Sequence, residues 1–98
     1  MISGTKINCT VEFFGMPPGT TDLPKVDIEV GDGAGIPELV AALRQAIPTL
    51  DGPVISAGEE RLLESFAFNI NGEFYFGDAE VHVRKDDRVV LILLAAGG

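Results

Sequence analysis

The chain has 98 residues, enough for one small domain around one core and too few for two. Its 15 Asp and Glu against 7 Lys and Arg give a formal net charge of −8, which argues against nucleic acid, whose phosphates demand basic patches. A hydrophobic share of 46% is ordinary for a soluble globular protein, and one cysteine leaves no intramolecular disulfide and no cysteine zinc cluster. No signal peptide and no apolar run of membrane-spanning length is read, so a cytoplasmic location is expected. The acidic excess fits docking onto positively charged protein surfaces, and solubility explains it equally well.

Met1 to Gly4 read as a lead-in. From Lys6 to Phe13 the residues alternate, with Ile7, Cys9, Val11 and Phe13 on one face, which predicts a half-buried strand. Cys9 reads as a small apolar strand residue. Phe14 breaks the alternation and falls on the outward side, next to Gly15. Met16-Pro17-Pro18-Gly19 predicts a loop, and Val26, Ile28 and Val30 alternate in a second strand that pairs back on the first.

Gly31-Asp32-Gly33-Ala34-Gly35 lacks the lysine and hydroxyl residue of a phosphate-binding loop and misses the dinucleotide glycine spacing, so it reads as a lead into a helix. Pro37 suits the first helical position and Glu38 the positive end of the helix dipole. Ile36, Leu39, Val40, Leu43 and Ile47 share one face, and Pro48 ends the helix. Ser56-Ala57-Gly58-Glu59 has capping-box spacing, which predicts a short helix or turn over 59–64.

Phe66 to Ile70 alternate, Asn71-Gly72 is a strong hairpin signal, and Glu73-Phe74-Tyr75-Phe76 pairs back. Val81-His82-Val83 reads as a short extended piece with a solvent-facing histidine that is neither ligand nor base. Val89 to Leu94 is continuously apolar, which predicts a central strand buried on both sides. An amphipathic helix between two strand groups calls for one mixed sheet with the helix on one face.

The end of the sequence is the remaining feature. Ala95-Ala96-Gly97-Gly98 follows a core strand without bulk. Four extended residues reach roughly 13 Å, enough to carry a carboxylate into a partner's narrow channel. A division into a domain over 1–94 and a flexible tail over 95–98 is expected. No catalytic set and no metal cluster can be assembled from one His and one Cys.

In this order, Phe13-Phe14-Gly15, the single long helix, Asn69-Ile70-Asn71-Gly72-Glu73-Phe74, Lys85-Asp86-Asp87-Arg88-Val89 and the terminal Gly97-Gly98 resemble the β-grasp sulfur-carrier family of ubiquitin-like proteins. The likeness is strongest to the small subunit of molybdopterin synthase, with the thiamine sulfur carrier as a sister group. Met16-Pro17-Pro18 and Leu93-Leu94 depart from that family's usual Arg-Glu and Pro-Pro pairs.

The resemblance implies an α+β fold, with a mixed sheet of about five strands packed on one main helix. It implies a carrier and not an enzyme. A ubiquitin-activating-type adenylating enzyme, using ATP and magnesium, would turn the Gly98 carboxylate into an acyl-adenylate. A sulfur donor would then leave a thiocarboxylate. Gly97, Ala96 and Ala95 would thread the acceptor, such as the large subunit of molybdopterin synthase, while Phe14, Phe74 and Ile92 would form the partner surface. No bound cofactor is implied. Alternatives are a carrier for thiamine or another pathway, a covalent protein modifier, or a ubiquitin-like binding subunit.

Overall fold

The computed structural model describes residues 5–77 and 79–94. The strands are β1 (Lys6–Phe14), β2 (Lys25–Gly31), β3 (Phe66–Ile70), β4 (Glu73–Phe76) and β5 (Val89–Leu93), with one helix, α1 (Ile36–Ala46). A 3-10 turn, Pro48–Leu50, follows the helix. The five strands form one sheet in the order β2-β1-β5-β3-β4. β1 and β5 run parallel at its centre, and every other pair is antiparallel.

Local chemistry accounts for these elements. Asn71 and Gly72 both take positive φ, 53° and 94°, the backbone twist that a two-residue hairpin turn between β3 and β4 requires. At α1, Pro37 occupies the first turn, and the Glu38 carboxylate accepts the Gly35 N–H at 2.8 Å, capping an amide the helix cannot satisfy. Ile36, Leu39, Val40 and Leu43 are fully buried against the sheet, as their spacing predicts.

The core lies between α1 and one face of the sheet. Ile7, Cys9 and Val11 of β1, Ile28 and Val30 of β2, Phe66, Phe68 and Ile70 of β3 and Val89 and Leu91 of β5 all point into it. Each fully buried side chain of this size contributes about 1.5–3 kcal/mol relative to exposure.

The segment between Asp51 and Ser65 differs from a solvent loop. Val54, Ile55 and Leu62 are fully buried and extend the core past the end of α1. Arg44 staples the segment to the helix: its guanidinium donates to Asp51 at 3.0 Å, to Glu60 at 3.2 Å, and to the backbone carbonyls of Ser56 and Glu59. No helix forms over 59–64, and the sequence is held as a turn. The Ser56 hydroxyl donates to the Glu59 carboxylate at 2.6 Å instead of capping a backbone amide, while Arg44 takes a carbonyl a helix would use.

β5 corrects an expectation. It is central, yet only its Val89 and Leu91 face is sealed; Val90 and Ile92, on the other face, are half-buried. The single helix covers one side of the sheet, so the continuous apolar run serves the core with one set of residues and a surface with the other.

Candidate functional site

The open face of the sheet is divided into an apolar end and a charged end. In register across the strands, Phe14 of β1 lies beside Ile92 of β5, Ile92 beside Ala67 of β3, and Ala67 beside Phe76 of β4. The Phe13 N–H donates to the Pro24 carbonyl at 2.9 Å, which carries the β1–β2 contact one residue past the paired strands. One row therefore reads Phe14, Ile92, Ala67, Phe76. At the ordinary spacing of strands it spans about 14 Å. The next row holds Val90 and Phe74 with Asn69 between them, and Glu12 on the other side of Val90.

Exposure shows how unusual this row is. Phe14 is 66% exposed, Phe76 52% and Phe74 47%. Large apolar side chains scattered singly over a surface need no explanation, but Phe14, Phe74 and Phe76 on one face, joined by Ile92 and Val90, form a patch. Ala67 is fully buried although it lies on this face, between the larger Ile92 and Phe76. A small residue there makes the row a shallow trough.

Away from this end the face becomes polar. Arg88 donates to both oxygens of Glu12 at 3.0 and 3.1 Å, and this bond holds the Glu12 carboxyl below the usual carboxylate range. The Thr10 hydroxyl donates to Asp27, and Lys25 and Glu29 complete the outward side of β2. The patch itself carries no charge. The acidic character of the chain is thus not the property that distinguishes it.

Of the three partner-surface residues expected from the sequence, the structure brings Phe14 and Ile92 side by side, with Phe74 two strands from Ile92 and one row along. None of the three is core. Phe76 was not singled out by the sequence: it closes a strand of only four residues. The signal for Phe76 was its spacing of two from Phe74, which puts both on one face.

Ala95, Ala96, Gly97 and Gly98 lie outside the described residues. Their root does not. The Leu94 N–H donates to the Ser65 carbonyl at 2.8 Å, prolonging the β5–β3 pairing one residue beyond the strand. Beside it Gly15 has φ +76°, and a Cβ there would stand 3.3 Å from the Leu93 Cβ. A glycine after the Phe13-Phe14 pair lets β1 end against the last residues of β5. The exposed aromatic Phe14 and the root of the final four residues therefore occupy the same end of the sheet.

The other candidates are accounted for. Burial, with smaller contributions from Asp87 and Asp27, pushes the Cys9 thiol up from its ordinary range, which suits a packing residue and not a nucleophile. His82 is exposed, with a Glu80 carboxylate oxygen 3.5 Å from its Nε2. No group of three metal-ligating side chains occurs among the described residues. Among them, too, no helix is long and apolar enough to cross a membrane.

No protein-family model and no curated protein sequence matches the chain. Solved structures do. The crystal structure of SAMP1 from Haloferax volcanii aligns over 93% of this chain and 99% of its own, with 21% identity and a TM-score of 0.72. The solution structure of small archaeal modifier protein 1 from Methanosarcina acetivorans aligns over 97% and 100%, with 18% identity and a TM-score of 0.72. That of the Haloferax volcanii HVO 2177 protein covers 95% and 88%, at 17% identity and the same TM-score. The fold is the ubiquitin-like β-grasp. At these identities the likeness speaks for architecture, and within the β-grasp the open sheet face is where this chain concentrates exposed apolar side chains.

Proposed function

We propose that this β-grasp protein is a carrier whose Gly98 carboxylate is activated by a partner enzyme and passed on as a thiocarboxylate. The observation that carries the reading is the coincidence of two features at one end of the sheet: the apolar row through Phe14 and Ile92, and the pinned root of the final residues at Leu94. Docking through the first delivers the second. A carboxylate is a poor electrophile, and adenylation by an ATP- and magnesium-using enzyme gives it a leaving group. A sulfur donor displaces AMP and leaves sulfur on Gly98. Gly97, Ala96 and Ala95 are slim enough to follow it into an acceptor site.

Phe14, Phe74 and Ile92, with Phe76 beside them, make the partner surface in this reading. The acceptor we favour is the large subunit of a molybdopterin-synthase-type enzyme. A second use of the same activated glycine is supported by the name of one structural neighbour, the small archaeal modifier protein 1 from Methanosarcina acetivorans. Gly98 would there be joined to a lysine of a target protein. Both uses share the activation step.

The test is the intact mass of the protein after incubation with a candidate adenylating enzyme, ATP, magnesium and a sulfur donor. A gain equal to one oxygen replaced by sulfur is expected, and deletion of Gly98 removes it. Supplying an acceptor protein then separates the two uses: sulfur loss regenerates the original mass, whereas modification yields a covalent adduct at a lysine. No mass change with any activating enzyme rejects the carrier reading.

A further inference from the structure

The two edges of the sheet are built differently. The outward side chains of β2 are Lys25, Asp27 and Glu29, charges of the kind that blunt an edge against unwanted pairing. β4, at the other edge, presents Phe74 and Phe76. Its backbone is also available. A two-residue turn closes on the hydrogen-bonded pair Ile70 and Glu73, so Phe68 and Tyr75 bond next, while Asn69 with Phe74 and Ala67 with Phe76 are the non-bonded pairs. The amide groups of Phe74 and Phe76 therefore point away from β3. Among the described residues, the Phe76 carbonyl accepts the Ala79 N–H at 2.9 Å, while the Phe74 N–H, the Phe74 carbonyl and the Phe76 N–H make no bond.

Chemistry on the opposite, helix-facing side of β4 is of another kind. A cleft of about 360 Å³ opens between Glu73 and Tyr75 of the strand and Val81, His82 and Asp87 of the returning chain. The Tyr75 hydroxyl donates to Glu73 at 2.9 Å, and Asp87 already accepts the Asn71 side-chain amide and the Arg84 N–H. Two carboxylates thus line the cleft with no cation among its lining residues.

We propose that the β4 edge is a strand-addition site for an extended segment of a partner protein in which apolar and basic residues alternate. Three groups on β4 supply main-chain bonds. Successive side chains of an added strand point to opposite faces, so one set lies beside Phe74 and Phe76 and the other enters the cleft at Glu73 and Asp87, where lysine or arginine is favoured. A second copy of this chain is a poor occupant. Edge-to-edge pairing of two β4 strands sets Glu73 and Asp87 of each copy toward those of the other, between chains of net charge −8. The site requires neither Gly98 nor the activation chemistry.

The probe is a short capped peptide alternating valine and lysine, titrated into the full-length protein and followed by backbone amide NMR. Shifts at Glu73 to Phe76 are expected, with amide exchange at Phe74 and Phe76 slowed at least about tenfold and the binding weakened by salt. Phe76→Pro removes an outward N–H and no bond to β3, a change an edge strand tolerates, and abolishes the protection. Phe76→Thr keeps the N–H and retains it. Phe14→Ser, on the same face but away from the edge, leaves binding unchanged, which separates the β4 edge from the Phe14 end of the docking patch with which it shares Phe74 and Phe76. The proposal is overturned by equal binding of a valine–glutamate peptide, by undiminished binding to the proline variant, or by no binding. Concentration-dependent shifts at Phe74 and Phe76 without peptide overturn it in favour of a second copy.

Discussion

The two faces of the sheet are made from the same strands and do different things. In β1, Val11 is sealed under the helix while Phe14, three residues on, is two-thirds exposed; in β5, Leu91 is fully buried and Ile92 is not. Strand geometry forces this division, because a period of two sends neighbours to opposite sides. What differs is the covering layer. One helix shields one face, and on the other Phe14, Phe74 and Phe76 keep about half or more of their surface in water. Stability should therefore depend on one parity of residues and recognition on the other.

The largest effect should come from the sealed parity. Leu91→Ala leaves a cavity at the centre of the sheet under α1, and a loss of about 2–5 kcal/mol is expected from urea unfolding. Ile92→Ala, one residue along, should cost about 1 kcal/mol or less because the side chain is only half-buried. Similar losses at the two positions would mean that the open face is not a surface and that the comparison is false.

Phe14→Ser inverts the expectation. Stability should stay within about 0.5 kcal/mol of the parent, since a 66%-exposed ring has little packing to lose. Affinity for the activating enzyme or acceptor should fall by at least about thirtyfold, the equivalent of a 2 kcal/mol hot spot. Calorimetric titration against the partner measures it. An unchanged affinity would remove Phe14 from the docking surface while leaving the chemistry of Gly98 open to its own test.

Much of this organisation was legible in the sequence. The helix was, because Ile36, Leu39, Val40, Leu43 and Ile47 keep one period and prolines bracket it, and all five are buried. Phe14 was, because it violates its strand's alternation. The Asp51–Ser65 segment was not. Val54, Ile55 and Leu62 bury themselves without any periodicity, and the link from Arg44 across to Asp51, Glu60 and two carbonyls is tertiary. The open side of β5 was hidden for a related reason: an unbroken apolar run is the same string whether its second face meets a helix or a partner. The width of the patch was hidden too, since Phe76 joins Phe14 only through strand register across β5 and β3.

Where the two faces meet, at Gly15, the expected effect is intermediate. Gly15→Ala places a methyl group in a left-handed conformation and against the Leu93 Cβ, so about 1–2 kcal/mol of stability should be lost. The change lies next to the root of the last residues. Amide exchange at Leu94 should consequently rise more than exchange at Leu91 if the Gly15 contact fixes the end of β5, and equally if the substitution only lowers global stability.

The smallest effect belongs to the polar end of the open face. Arg88 depresses the Glu12 carboxyl relative to an ordinary value of 4.5, chiefly through their hydrogen bond. A depressed folded value means that the unfolded chain binds the proton more readily. The pair's contribution is then present above the ordinary value and lost as pH falls through the lower, folded one. Glu12→Gln should lower the urea midpoint slightly at pH 7, and the gap between variant and parent should close on acidification. Both partners are exposed, so the gap should also shrink in high salt, as a screened surface pair must. A gap that persists at low pH would show that the Glu12 charge is not what the substitution removes from stability.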